Sequence, residues 1–278
     1  MEIIREIISI SHNGFGRIWH PFYSEKTSNS LFINCKYKSH AIDMVMLLHS
    51  MFGTNNNISN VKKIKPYIFP KNRSVTTQCS IEFRTDKEQY ILTKEVNDQY
   101  SVEVRLQSKN STIAFYGNEA NAKLAKMTKP IIVPGDRHHL GCPIYRTDCK
   151  KTILAMNNLI DFWAQNIGLD DHSFQLISRR NWPSYGFLGR EYFIETGASA
   201  SVVSLLGILA QATIRTRKFG YCPAIVCHID FEEFNEFEMK SIIDLTSNIC
   251  REERLDITIA TSNSEQLKMD GVKNTKRM

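Results

Sequence analysis

The chain lacks the long apolar run that a membrane-spanning helix requires. Its longest apolar stretch, "SVVSLLGILAQATI" at residues 201–214, is shorter than the roughly 20 residues that cross a bilayer, and it contains Ser, Gln and Thr. The first residues, "MEIIREIISISHN", also lack the basic segment, apolar region and cleavage site of a secretory signal. We therefore expect a cytoplasmic protein without a membrane partner, in which residues 201–214 form a buried helix.

A disulfide framework is missing as well. The seven cysteines are an odd number, and they are scattered along 278 residues, mostly inside apolar runs. Disulfide scaffolds are instead short secreted chains with paired cysteines. We expect reduced, buried thiols.

A strong charge bias is also absent, because 35 Lys and Arg face 29 Asp and Glu, for a net charge of +6. This mild excess permits nucleic-acid contact without requiring it. With 42% hydrophobic and 23% charged residues, the composition is typical of a globular chain that can build one large domain or two small ones.

The first third of the chain is rich in strand signals. Residues 2–11 and 31–34 are β-prone, and residues 76–86, 89–96 and 100–107 alternate apolar with polar side chains. The short connections between the alternating segments suit hairpins. We predict an antiparallel sheet in this part of the chain.

Helix signals follow at residues 118–127 and 149–166. Residues 172–192 contain Pro183, Gly186 and Gly189, which break any long element, so we interpret this segment as a linker. Beyond it the pattern predicts a helix at 198–218, a strand at 223–229, a helix at 236–254 and a strand at 255–262. Continuous apolar strands between helices indicate a parallel sheet covered on both faces.

The stretch "LFINCKYKSHAIDMVMLLHSMFG" at residues 31–53 has the order of a nucleotide-binding P-loop, a buried strand, a polar loop and a helix. Its loop contains no glycine. A P-loop needs GxxxxGK[ST], since the glycines let backbone N–H groups converge on the phosphates, the Lys neutralises their charge and the hydroxyl holds Mg²⁺.

Taken together, the segments resemble the ATPase head of the ABC family in its SMC, RecF and RecN-like branch. "EIIREIISISHNGFGRIWHPF" resembles the opening strand pair, residues 31–53 the phosphate-loop unit, and the strands of 76–107 the antiparallel lobe. "GASASVVSLLGILAQATI" resembles the signature loop and its helix. "PAIVCHIDFEEFNEFEMKSIIDL" resembles the Walker B strand with the following helix, and "LDITIATSNSEQL" the closing strand and switch segment.

The resemblance implies an α/β fold with a P-loop-NTPase-like mixed sheet flanked by helices and an antiparallel β lobe in the N-terminal half. It divides the chain into an N-terminal lobe at 1–150, a helical connector at 151–192 in place of the family's coiled coil, a C-terminal lobe at 193–267 and a basic tail at 268–278.

The family's catalytic residues are mostly replaced. The usual helix length places Asn34 and Ser39 at the two glycines, His40 at the lysine and Ala41 at the hydroxyl. A shift of two residues places Lys38 and Ser39 at the Lys-Ser pair, but bulky side chains then occupy the glycine positions. Such residues are strained in the φ > 0 conformations that a tight anion loop uses.

The catalytic residues of the Walker B motif are replaced as well. A working site has an Asp for Mg²⁺ and a Glu that orients the attacking water, whereas His228 and Ile229 stand at these positions; a shift of two residues brings in Asp230, followed by Phe231. The signature-like loop keeps Gly197, Ser199 and Ser201, which suit an anion at a helix N-terminus.

The resemblance therefore predicts a head without hydrolysis that serves as a structural or regulatory subunit of a larger, DNA-associated complex. Family heads work as dimers, so the implied partner is an active ATPase head. No cofactor is predicted, and the sequence leaves residual binding of ATP or Mg²⁺ open.

Two other interpretations start from charged residues. The acidic cluster Asp230, Glu232 and Glu233 suits a metal-dependent nuclease or hydrolase, although carboxylates at a helix start more simply complement its dipole. Aromatic residues accompany a set of arginines that are candidate nucleic-acid contacts, and packing is the simpler role for those aromatics. These arginines are Arg179, Arg180 and Arg190.

A metal site in "GDRHHLGCPIYRTDC" at residues 135–149 is not predicted, because neither CxxC nor HxxxH spacing is present.

Overall fold

The computed structural model describes residues 1–13, 22–26, 30–35, 38–53, 77–96, 102–133, 150–167, 174–179, 182–187, 198–230 and 235–262. The helices in these ranges are α1 (Lys38–Met51), α2 (Gly117–Ala125), α3 (Lys150–Asn166), α4 (Ala198–Phe219) and α5 (Glu236–Glu252). The strands are β1 (Glu2–His12), β2 (Phe22–Glu25), β3 (Ser30–Cys35), β4 (Thr77–Thr85), β5 (Gln89–Val96), β6 (Val102–Ser108), β7 (Ala114–Tyr116), β8 (Met127–Thr128), β9 (Ile131–Val133), β10 (Phe174–Arg179), β11 (Trp182–Phe187), β12 (Ile225–Asp230) and β13 (Ile257–Ser262).

The first sheet is antiparallel along the order β2-β1-β4-β5-β6-β7, and the short β8 adds to β1 in parallel. Successive strands face the core with every second residue, as Ile81 and Phe83 do on β4 and Leu92 does on β5. This sheet confirms the antiparallel lobe that the alternating segments predict.

The second sheet is parallel throughout, with the order β3-β13-β12-β9. One face, with Ile33, Val226 and Ala260, packs on α1 and the antiparallel sheet. The other face, with Cys227 and Ile259, packs on α3, α4 and α5. Strands buried on both faces have continuous apolar sequences, as these strands do. The parallel sheet and the mixed α/β fold that the sequence predicts are both confirmed.

Helix α4 is buried through its middle, and its last turn, residues 217–219, is exposed. Residues 204–212 are all inaccessible, including Leu205, Leu209 and the polar Gln211. A helix that is apolar on every side is an interior helix, and this confirms the prediction for residues 201–214. None of the helices in the described ranges combines the length and apolar composition needed to span a bilayer.

The interpretation of residues 172–192 as a linker is wrong in part, because β10 and β11 form an antiparallel hairpin there. Proline and glycine break long elements, but each strand has only six residues. In a two-stranded ribbon every strand also has one unpaired edge, where a residue without an N–H such as Pro183 is tolerated.

Five cysteines in the described ranges are free and buried, in agreement with the expected reduced thiols: Cys35, Cys79, Cys222, Cys227 and Cys250. Cys142 and Cys149 lie outside those ranges.

A buried ion network joins the two sheets. Lys26, just after β2, contacts the carboxylate of Asp256, which immediately precedes β13, and lies 3.1 Å from Glu6 on β1. Asp256 Oδ1 also accepts the Ile7 N–H at 3.2 Å. Burial raises the pKa of Asp256 to about 6, although Lys26 and the Ile7 N–H oppose this shift. Asp256 therefore depends on its cation to remain charged at neutral pH.

We predict that Lys26→Met lowers the free energy of unfolding by about 3–5 kcal/mol at pH 7, because it leaves the Asp256 carboxylate buried without a counter-charge. Adding Asp256→Asn, which keeps the acceptor for Ile7 N–H, should recover most of the loss. Urea unfolding curves measure both effects.

The loss of unfolding free energy in Lys26→Met should also be smaller at pH 5 than at pH 7. A raised native pKa contributes stability below the unfolded value, and this stability is lost as pH rises through the native value. Lys240→Met on the exposed surface of α5 is the control, with an expected change below about 0.5 kcal/mol. An equal loss in both lysine variants would show that the network is not stabilising.

Candidate functional site

The carboxyl ends of β3, β13 and β12 lie at one edge of the parallel sheet, which we call the carboxyl edge. The strand register aligns these ends in three rows. The rows are Cys35, Ser262 and Asp230; Asn34, Thr261 and Ile229; and Ile33, Ala260 and His228. The predicted phosphate-loop strand, β3, and the predicted Walker B strand, β12, therefore end at the same edge, separated by β13 and by about 10 Å between their backbones.

The described side chains at the carboxyl edge are buried. His228 is 6% exposed, Thr261 0% and Ser262 1%. Because side chains alternate along a strand, His228 and Ser262 lie on the face that α1 covers, while Thr261 lies on the opposite face. These positions line packed structure, whereas ligands in open α/β sheets bind in a crevice outside the carboxyl ends.

The connection from β3 to α1 is short. β3 ends at Cys35 and α1 begins at Lys38, so two residues, 36 and 37, join them. GxxxxGK[ST] places four residues between its glycines in the loop alone. Asn34 thus belongs to β3, while Lys38, Ser39 and His40 form the first turn of α1 and are half-buried. No room for a loop of P-loop length remains between the two elements.

Two hydroxyls near this turn, Thr261 Oγ1 and Ser262 Oγ, have no hydrogen-bond partner among the residues that the structure describes. A buried polar group without a partner costs about 1–3 kcal/mol. Ser262 lies in the row of Cys35, close to the N-terminus of α1, where backbone N–H groups and the helix dipole favour an anion. An anion held there could also accept a hydrogen bond from Ser262.

The thiols near the carboxyl edge are chemically inert. Burial, reinforced by the nearby Asp43 carboxylate, raises the pKa of Cys35 to about 12. Burial also raises the pKa of Cys227 far above its usual range. Because the thiolate is the reactive form, neither cysteine serves as a nucleophile at neutral pH.

The signature-like loop precedes α4. Ser199 and Ser201 lie in the first turn of this helix of 22 residues, and Gly197 comes immediately before its first residue, outside the described ranges.

Part of the acidic run at residues 230–238 starts α5. Asn235 Oδ1 accepts the Glu238 N–H at 3.0 Å, and Glu238 Oε2 accepts the Asn235 N–H at 2.9 Å, which forms a capping box. Asp230 ends β12, and Glu232 and Glu233 lie outside the described ranges. Within those ranges, no three His, Cys, Asp or Glu side chains converge as metal ligands would.

The candidate nucleic-acid arginines are only partly placed. Arg179 ends β10 and pairs with Trp182 across the hairpin. Arg180 and Arg190 lie outside the described residues, so this contact stays a prediction.

Sequence reasoning missed Lys94 on β5. Its ammonium donates hydrogen bonds to the carbonyl oxygens of Ser50 at 3.0 Å and Gly53 at 2.7 Å, where α1 ends. Burial and the nearby Lys129 lower the pKa of Lys94 to about 8. The alternation of β5 could have indicated this position, because Lys94 comes two residues after the buried Leu92 and therefore lies on the same inward face of the strand.

Comparisons with known proteins found similarity only in structure. No family model matches the chain, and no curated protein matches it. The SMC head domain from Thermotoga maritima has a TM-score of 0.51 and 12% identity, over 93% of this chain and 89% of that one. The recombination mediator protein RecF, solved with ATP in the RecFOR pathway, has a TM-score of 0.50 and 9% identity, over 96% of each chain.

The chain therefore has the fold of an ABC-type ATPase head. The structural similarity confirms the predicted resemblance to the SMC and RecF branch at the level of the fold.

We predict that Lys94→Met destabilises the protein by about 1–3 kcal/mol at pH 7, since it removes the donor for two carbonyls at the end of α1. The difference in the free energy of unfolding between wild type and variant should increase by up to about 3 kcal/mol from pH 8 to 10.5. In this window the unfolded Lys94 binds a proton that the folded one has released, so stability rises with pH. Urea unfolding of both proteins across this range measures the difference. A constant difference would contradict the lowered pKa.

Proposed function

We propose that this chain is an ATPase-like head without hydrolysis, which serves as a structural or regulatory subunit. One observation supports the proposal above all others. The ends of β3 and β12 lie at the same edge of one sheet, and the family resemblance assigns Asn34, His228 and Ile229 to positions where phosphate and Mg²⁺ chemistry needs glycine and carboxylates.

The short turn before α1 supports the same proposal. A two-residue connection offers too few backbone N–H groups to surround a triphosphate. The N-terminus of α1 and the hydroxyl of Ser262 still suit a single phosphate or a similar anion. Loss of hydrolysis is therefore compatible with weak anion binding.

We further propose that the chain pairs with an active ATPase head in a complex associated with DNA. In the family that the chain resembles, the signature loop of one head faces the phosphate loop of the other. Ser199 and Ser201 at the start of α4 would then complete the nucleotide site of the partner, although this chain has no working site of its own. The proposed pair is asymmetric, with one catalytic site.

The first test measures phosphate release from ATP and Mg²⁺ by the purified chain. We expect no turnover above that of the Lys38→Ala variant, because Lys38 is the one lysine at the start of α1. Turnover that disappears in Lys38→Ala would overturn the proposal.

The second test uses an affinity-tagged chain, purified from its native cell under mild conditions so that bound partners are retained. We expect ATPase activity in the purified complex that Lys38→Ala leaves unchanged and that the double variant Ser199→Asp, Ser201→Asp lowers at least about 10-fold. The added carboxylates would repel the phosphate of the partner's nucleotide, while an acidic first turn favours α4 itself. The reverse pattern, with loss only in Lys38→Ala, would contradict an asymmetric pair.

A further inference from the structure

The opposite end of the parallel sheet is strongly basic. Residues 126–130, 215–224 and 251–256 lead into β9, β12 and β13, and Arg5 on β1 lies against the second of these segments. Their accessible side chains include eight cations and two carboxylates, Glu252 and Glu253. The cations are Arg5, Lys126, Lys129, Arg215, Arg217, Lys218, Arg251 and Arg254. We call this surface the basic end. The whole chain has a net charge of only +6, so the positive charge is concentrated here.

Aromatic rings hold the central cations of the basic end in place. The Arg5 guanidinium lies 5.0 Å from the ring centre of Tyr221, and that of Arg215 lies 5.9 Å from it. The ring of Phe219 has Arg215 at 6.0 Å and Lys218 at 5.5 Å. These contacts draw cations from β1 and α4 together, at about 0.5–2 kcal/mol each.

The backbone places Tyr221 beneath the last turn of α4. Gly220 has φ of +77° and donates its N–H to the carbonyl of Thr216 at 2.7 Å, which ends the helix. A left-handed glycine at this position turns the chain back across the helix end. Tyr221 is thereby positioned between Arg215 and Arg5.

The ring contacts determine which anion fits. Each ring already has two cations within 6.0 Å of its centre, so a nucleic-acid base would have to displace them in order to stack. A guanidinium held over a ring keeps its N–H groups directed outward in its own plane, the geometry that pairs with a carboxylate through two hydrogen bonds.

The same helix turn already binds a carboxylate in this way. Arg217 donates through Nε to Glu253 Oε2 at 3.2 Å and through Nη2 to Oε1. Arg5, by contrast, pairs with no carboxylate within the described ranges. We propose that the basic end binds an acidic segment of a partner protein, with Arg5 and Arg215 pairing with closely spaced Asp or Glu side chains.

This surface is separate from the carboxyl edge. Tyr221 precedes β12, whose six residues span about 20 Å before they reach Asp230. The inference therefore does not rest on the proposed loss of hydrolysis, and either can fail without the other.

The test uses fluorescence anisotropy of a fluorescein-labelled hexaglutamate peptide at about 50 mM salt, where screening is modest. We expect Arg5→Gln and Arg215→Gln each to weaken binding about 10-fold, the typical effect of losing one charge-assisted pair. Arg5→Lys, which keeps the charge but loses the two-pronged geometry, should have an intermediate effect. Tyr221→Phe should bind as wild type does, and Tyr221→Leu should not.

Lys240→Gln is the matched control. Lys240 is an exposed lysine on α5, thirteen residues before Glu253 and therefore about 20 Å away along the helix. It should change the affinity less than 2-fold, and thermal unfolding checks that each variant is folded. Equal losses in Arg5→Gln and Lys240→Gln, or no binding of the peptide, would overturn the proposal. Tighter binding of labelled oligo(dT) than of the peptide, weakened by the same variants, would identify a nucleic-acid surface instead.

Discussion

The fold depends on one buried carboxylate close to its C-terminal strand. Asp256 lies beside β1 and accepts a hydrogen bond from Ile7, 249 residues earlier in the chain. A carboxylate without water is costly unless a cation and hydrogen bonds replace its hydration. Lys26 supplies that cation from the segment after β2. The arrangement therefore fixes the N-terminal strand pair against the sheet that the C-terminal strands build.

Backbone contacts continue the same junction. Ala224, which immediately precedes β12, donates its N–H to the carbonyl of Ile4 at 3.0 Å, and its own carbonyl accepts the N–H of Ile131 at 2.8 Å. A backbone hydrogen bond between Ala224 and Ile4 thus joins the parallel sheet to the antiparallel one. Helix α1 packs between them, with Met44, Leu48 and other apolar residues in their common core, and Lys94 of the antiparallel sheet binds its last carbonyls. Helix α1 therefore has contacts with both sheets.

Sequence periodicity could predict the parts of the fold that local patterns determine. Alternation located β4 to β6, and continuous apolar runs located β12 and β13. The hairpin of β10 and β11 was missed because β11 contains Pro183 and Gly186, which are typical of breaks between elements. The pairing of Lys26 with Asp256 was also out of reach, since periodicity states that a residue faces inward but not which distant residue it meets. The rows of the carboxyl edge were out of reach for the same reason, because an apolar run does not state which strand it pairs with.

The two ends of the parallel sheet differ in a way that bears on function. At the carboxyl edge the described side chains of His228, Ile229 and Thr261 are buried. At the basic end the charged side chains are accessible and held by aromatic rings. Packing explains the buried apolar side chains at the first end, such as Ile229 and Ala260. It does not explain eight cations gathered at the second, where mutual repulsion opposes folding. Such a cluster is stabilised once an acidic partner neutralises it, and this is the binding that we propose for the amino ends of the strands.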